Sequence, residues 1–212
     1  MNYLMSLALL SILIGCNSSA DNSLKPICDT TCMLDTVVFR SQHIMEPYVK
    51  IISKDCNATS IFWSHTNTTN HRRIETKDYI KNSIRVNTKA TNAFFKDTNY
   101  VWLTFNDCIS SRGYALKLPY NKKDDLLCYS SALNSFDPKF SVEPGLICYS
   151  NYRYLYVEDV ATGKAAKLEL SITPLDINFN KIHDTFDSVH ITRNRIFVQL
   201  KDKAPLETSI SL

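Results

Sequence analysis

The sequence predicts a mainly β fold: an antiparallel, β-sandwich-like domain with one or two short helices, stapled by disulfides. Three observations predict it. Short runs of β-branched and aromatic residues bounded by polar turns recur along the chain. A hairpin pattern occupies residues 152–172, and the cysteines form an even set once an apolar leader is set aside.

The leader comes first. Tyr3 to Ile14 is apolar except for Ser6 and Ser11, which suits a signal-peptide core and falls short of the roughly 20 residues that span a bilayer. No later run approaches it, so no transmembrane span is expected. Leu13-Ile14-Gly15-Cys16 fits a lipobox, in which Cys16 would carry the lipid of a bacterial surface lipoprotein with a binding or assembly role. The segment before it lacks Lys and Arg, however, and Ser18 and Ala20 supply the small residues that an ordinary signal peptidase needs. The expected organisation is a cleaved signal at 1–20, a polar flexible leader at 21–27, and one disulfide-bonded β-rich domain at 28–212.

Six of the seven cysteines then remain: Cys28, Cys32, Cys56, Cys108, Cys128 and Cys148. In an oxidising compartment they read as up to three disulfides, with the pairing left open. Asn57-Ala58-Thr59 and Asn67-Thr68-Thr69 are glycosylation sequons in polar stretches. They favour a secreted glycoprotein of the eukaryotic or viral route.

Strands are expected at Val37-Val38-Phe39, at Tyr48 to Ile52, and at Tyr100-Val101-Trp102-Leu103-Thr104-Phe105, the last apolar on both faces and therefore interior. Lys77 to Arg85 fits either a short helix or a strand. Pro138 and Pro144 mark a loop between Cys128 and Cys148. Tyr154 to Val157 runs through Thr162-Gly163 and returns through Leu168, Leu170 and Ile172 as a hairpin that Pro174 ends. Phe179, Ile182, Phe186 and Val189 fall on one helical face behind an Asn178 cap, predicting about three turns of helix. A last strand is expected at Arg195 to Leu200 with Ile196, Val198 and Leu200 inward.

Composition narrows function. Four glycines leave no room for phosphate-binding Gly-rich loops, which excludes nucleotide enzymes of that type. A net charge of +3 from 24 basic and 21 acidic residues, well mixed, gives no nucleic-acid footprint. His71-Arg72-Arg73 and Lys122-Lys123 are followed by acids and read as solvated face.

Chemistry concentrates only at His183-Asp184-Thr185-Phe186-Asp187-Ser188-Val189-His190. Asp187 three residues before His190 resembles the Asp-x-x-His pair of SGNH esterases, and that resemblance implies a secreted esterase-like hydrolase as one alternative. The Gly-Asp-Ser nucleophile block of that family is missing, so no catalytic residue is assigned. A metal would use His183, Asp187 and His190, or Cys28 and Cys32 with His43. Neither set has full zinc spacing, and neither cofactor nor metal is expected.

Tyr149, Tyr152, Tyr154 and Tyr156 form the remaining signal. Alternation places Tyr152, Tyr154 and Tyr156 on one strand face, with Arg153, Leu155 and Val157 on the other. Tyrosine and arginine favour protein contacts, so Tyr152, Arg153, Tyr154 and Tyr156 are the candidate binding residues, the alternative being that the tyrosines cap one edge of a sandwich core with their hydroxyls in water; Trp63 is either a core residue or an exposed anchor. The expected function is a secreted glycoprotein that binds an extracellular protein. Low Gly and richness in Asn, Lys, Ile, Ser and Tyr suit an AT-rich genome, as in large viruses, and hence a host-interaction or immune-modulating factor.

Overall fold

In the computed structural model the alternating segments form strands, and helix among the described residues is confined to segments of at most six residues. The structure describes residues 31–66, 71–80, 83–151, 153–170 and 179–212. The signal and leader segments, Cys16, Cys28, Asn67, Tyr152, Ile172 and Pro174 lie outside those residues.

β1 (Val37–Arg40), β2 (Tyr48–Lys54), β3 (Asn57–Ser64) and β4 (Arg72–Glu75) make a first antiparallel sheet in chain order. β5 (Asn92–Lys96), β6 (Tyr100–Asn106), β7 (Gly113–Pro119) and β8 (Leu127–Leu133) begin a second sheet. β9 (Phe140–Val142) leaves it, and β10 (Leu146–Ser150), β11 (Tyr154–Asp159) and β12 (Ala165–Glu169) rejoin it, giving the order β12-β11-β10-β8-β7-β6-β5. β13 (Phe186–Thr192), β14 (Arg195–Leu200) and β15 (Leu206–Ser209) complete a third sheet with β9, whose pairing to β13 is parallel. One helical turn, α1 (Thr76–Tyr79), follows β4, and 3₁₀ turns lie at Thr88–Ala90 and Phe179–Asp184. The fold is therefore mainly β and sandwich-like, as its alternation predicts.

Turn chemistry sets the hairpins. Asp55 and Cys56 both take positive φ between β2 and β3, the twist-matched geometry of a two-residue hairpin turn. Gly163 takes φ +75° between β11 and β12. Gly113 serves differently: a Cβ there would stand 2.2 Å from the Ala132 carbonyl oxygen, so only glycine lets β7 approach β8 at their bulge.

Two sandwich cores share one face of the second sheet. Val49, Ile51, Ile61, Trp63 and Ile74 of the first sheet mesh with Val101, Leu103, Phe105, Leu116 and Leu118. Trp63 is a core residue, 1 % exposed, and its indole N–H donates to the Pro119 carbonyl at 2.8 Å. Val189, Ile191, Ile196, Val198 and Leu200 of the third sheet mesh with Leu133, Cys148, Leu155 and Val157. The chain passes from the first core to the second at the β8 to β9 loop that holds Pro138. The basic stretch is also structural: Arg72 donates to the Pro119 carbonyl at 2.7 Å and lies over the Trp63 ring, while Arg73 pairs with Glu75.

The three-turn helix expected over Phe179 to Val189 is corrected. Its first part is a 3₁₀ turn ending at Asp184, and Phe186 onward is strand. A bulge between Phe186 and Ser188 adds one residue to β13, so Phe186 and Val189 both face inward at a separation of three. That spacing imitates a helical face.

Five of the six cysteines expected to form up to three disulfides are among the described residues. Cys32 is bonded to Cys108, and Cys56 is disulfide-bonded as well. Cys128 and Cys148 are free thiols. Cys128 packs against the first core and Cys148 belongs to the second. Cys148 pairs with Leu133, five residues along β8 from Cys128, which sets the two on the order of 15 Å apart, well beyond disulfide reach.

Candidate protein-binding face

The second sheet is curled. Glu158 on β11 accepts from Trp102 Nε1 at 3.0 Å and from the Tyr100 hydroxyl at 3.1 Å, both on β6, although β10, β8 and β7 lie between. In a flat sheet those strands would stand about 19 Å apart, farther than the two side chains can bridge. Lys96 of β5 likewise bonds the Ala161 carbonyl in the turn after β11. The face opposite the two sandwich cores is therefore the concave side of a trough.

Register fills this trough with aromatic rings. Phe94 pairs with Trp102, Ala115 with both Thr104 and Tyr129, Ala132 with Tyr149, and Tyr149 with Tyr156. All these side chains point to the concave side. Tyr129 stacks on Tyr149 with centroids 3.8 Å apart, and Tyr149 stacks on Tyr156 at 5.4 Å. Trp102 lies 6.2 Å from Tyr129, and Tyr154 meets Tyr156 edge to face at 6.0 Å. Trp102 is fully buried, whereas Tyr129, Tyr149, Tyr154 and Tyr156 are each half-buried.

Cations close the ring faces. Lys117 Nζ stands 4.2 Å over Tyr100 and also donates to Glu158 at 2.7 Å. Lys167 and Arg153 both lie over Tyr154, at 4.6 and 5.3 Å. The ring faces are taken by neighbouring rings and cations, and the Tyr156 hydroxyl accepts from Asn151 Nδ2 at 3.2 Å. Burial first, then contact with Tyr129 and the charge of Glu158, pushes the Tyr149 phenol above the ordinary range. Burial and Glu158 do the same for Tyr100. Both hydroxyls stay protonated donors at neutral pH.

Of the expected binding residues, the structure brings Tyr154 and Tyr156 into this row, and Tyr152 lies outside the described residues. Arg153 precedes the strand, so it does not join Leu155 and Val157 on the core side. It is exposed, pairs with Glu169 at 2.8 Å and folds back over Tyr154. Trp102, Tyr129, Lys117 and Glu158 are additional members that single-strand alternation does not reveal, since they come from strands distant in sequence. A recess of about 500 Å³ opens beside the trough, with Asn92, Phe94 and Thr104 on one wall and Phe136, Pro144 and Ile147 on the other.

The catalytic alternatives have their own geometry. Asp187 and His190 are exposed on β13, and no hydrogen bond joins them among the described residues. The Asp–His pair that does form is Asp137 with His183 Nδ1, at 2.8 Å, beneath the ring of Phe140. Ser110 and Ser111 line the adjoining recess, but His183 Nε2 is buried without a hydrogen-bond partner, so no hydroxyl is poised on it. Cys32, whose thiolate a metal site with His43 would need, is in its disulfide. Among the described residues no group of three His, Cys, Asp or Glu side chains is arranged to hold a metal, and no helix is long and apolar enough to cross a membrane.

Compared with protein-family models, curated proteins and solved structures, the chain matches none.

Proposed function

We propose that this chain is an exported glycoprotein that binds an extracellular protein through the concave tyrosine row of its second sheet. The observation that carries the reading is the stack Tyr129–Tyr149–Tyr156, half-exposed on a scaffold that holds it rigid. Tyrosines held in place from below lose little conformational freedom on binding, and they offer apolar edge and hydroxyl together. The buried Glu158 hub fixes the floor, and Phe136, 39 % exposed at the neighbouring recess, offers an apolar anchor at the rim. The Cys32–Cys108 disulfide supports export into an oxidising compartment. A partner that engages host defence, as the composition suggests for a viral-type factor, is the corresponding class.

A photo-crosslinking residue placed at Tyr156, in chain incubated with the host's extracellular fluid, tests this. One discrete protein adduct is expected there and none from the same residue at Lys50, on the outer face of the first sheet. Equal crosslinking from both positions would overturn the reading.

A further inference from the structure

We infer that Asn57 carries an N-linked glycan whose inner sugars lie in the recess between β3 and α1, on the side of the molecule away from the tyrosine trough. The inference rests on the export reading and adds the modification site, its bed and its compatibility with the binding face. The sequon begins immediately after the Asp55-Cys56 hairpin turn, whose tip is exposed at Lys54 and Asp55. Ala58 is buried in the first core, so strand alternation turns Asn57 and Thr59 outward, and both are half-exposed. Thr59 is the extra residue of a bulge, since Ser53 pairs with Ala58 and Ile52 with Ser60; its hydroxyl donates to the Ile52 carbonyl at 3.1 Å.

Asn57 Nδ2 donates one hydrogen to the Asp55 carbonyl at 2.9 Å. An amide nitrogen has two hydrogens, so the N-glycosidic bond replaces the other and the turn contact survives. Beside it lies a recess of about 320 Å³ lined by Asn57, Thr59, Thr76, Lys77, Ile80 and Ser83. Its lining offers the Ser83 hydroxyl, the Lys77 ammonium and the Glu75 carboxylate to sugar hydroxyls, with Ala58 and Ile80 as apolar neighbours, while the Thr59 and Thr76 hydroxyls already donate to the Ile52 and Ala58 carbonyls. The first sheet covers the convex side of the second sheet, whereas the tyrosines occupy the concave side. A glycan at Asn57 therefore leaves the proposed contact face clear.

The full chain with Asn67→Gln, secreted by a eukaryotic cell line, tests the assignment. Amidase treatment in heavy-oxygen water should convert Asn57 to labelled Asp, read by peptide mapping. Amide exchange across Thr76 to Ile80 should be several-fold slower in the glycosylated chain than in the same chain made with N-glycosylation blocked. Secreted chain with unmodified Asn57 would overturn the site while leaving export standing. Occupied Asn57 with unchanged exchange would overturn the placement, and chain retained in the cytosol with its signal intact would overturn both this inference and the export reading.

Discussion

Glu158 accepts the indole N–H of Trp102 at 3.0 Å from a strand four places away in the same sheet, and Lys117 completes the site at 2.7 Å. This one carboxylate ties β11 to β6 and β7 across the curled sheet beneath the tyrosine row.

Replacing Glu158 by Ala leaves the Trp102 N–H and Tyr100 hydroxyl without their acceptor and Lys117 without its counter-charge. Lys117 is about a quarter exposed, which softens the penalty, and a loss of about 2 kcal/mol is expected in urea unfolding. Trp102 emission should shift to the red. Glu158→Gln, which keeps an acceptor, should lose less; equal losses would contradict the hydrogen-bond account.

Opening the Cys32–Cys108 bond frees a loop of 76 residues and should cost about 4 kcal/mol, measured on the Cys32→Ala/Cys108→Ala chain. In the unreduced native chain, alkylation should leave Cys32, Cys56 and Cys108 untouched. Cys128 should react slowly and Cys148, buried in the second core, only on unfolding. Burial pushes the Cys128 thiol up to about 11 from 9.0, despite the nearby Arg112 charge, so its thiolate is scarce at neutral pH. In the unfolded chain that thiol ionises near 9, so its contribution to stability is intact below pH 9 and is lost as pH climbs toward 11. Alkylation of Cys128 at pH 7.5 as fast as that of a free thiol would contradict this burial.

Gly113→Ala would drive a methyl group into the Ala132 carbonyl at the bulge where β7 meets β8. The strands must separate, at a cost of about 2 kcal/mol or more. A melting temperature equal to that of the unaltered chain would show that the close approach does not exist.

Burial alone would raise the Asp137 carboxyl, but the Lys139 backbone N–H and His183 outweigh it and hold it below its ordinary 3.8. A depressed carboxyl contributes stability that is present above the unfolded value and lost as pH falls through the folded one. Asp137→Asn should therefore destabilise the chain at pH 6, with the gap to the unaltered chain narrowing below about pH 4. A gap that stays constant down to pH 2 would contradict the pairing.

What the sequence reveals, and what it conceals, follows from the range of each interaction. The β11–β12 hairpin is legible because alternation and Thr162-Gly163 act locally, and it forms with Gly163 at positive φ. Tyr154 and Tyr156 are legible as a shared face for the same reason. Their stacking on Tyr149 and Tyr129, and the buried Trp102 behind them, depend on strand order and curl, which no local pattern encodes. At Phe186 and Val189 the local signal misleads, because a bulge residue gives a strand the spacing of a helix. Cysteine parity is silent on pairing: an even count says nothing of two thiols held in separate cores.

The central claim is that the concave tyrosine row is the contact surface. The affinity of the crosslinked partner for the intact chain, for Tyr129→Ala and Tyr156→Ala, and for Lys50→Ala as a control measures it most directly. Each tyrosine substitution should weaken binding at least thirtyfold, about 2 kcal/mol, while Lys50→Ala leaves it unchanged. Full affinity in both tyrosine variants, with the fold intact by circular dichroism, would contradict the account.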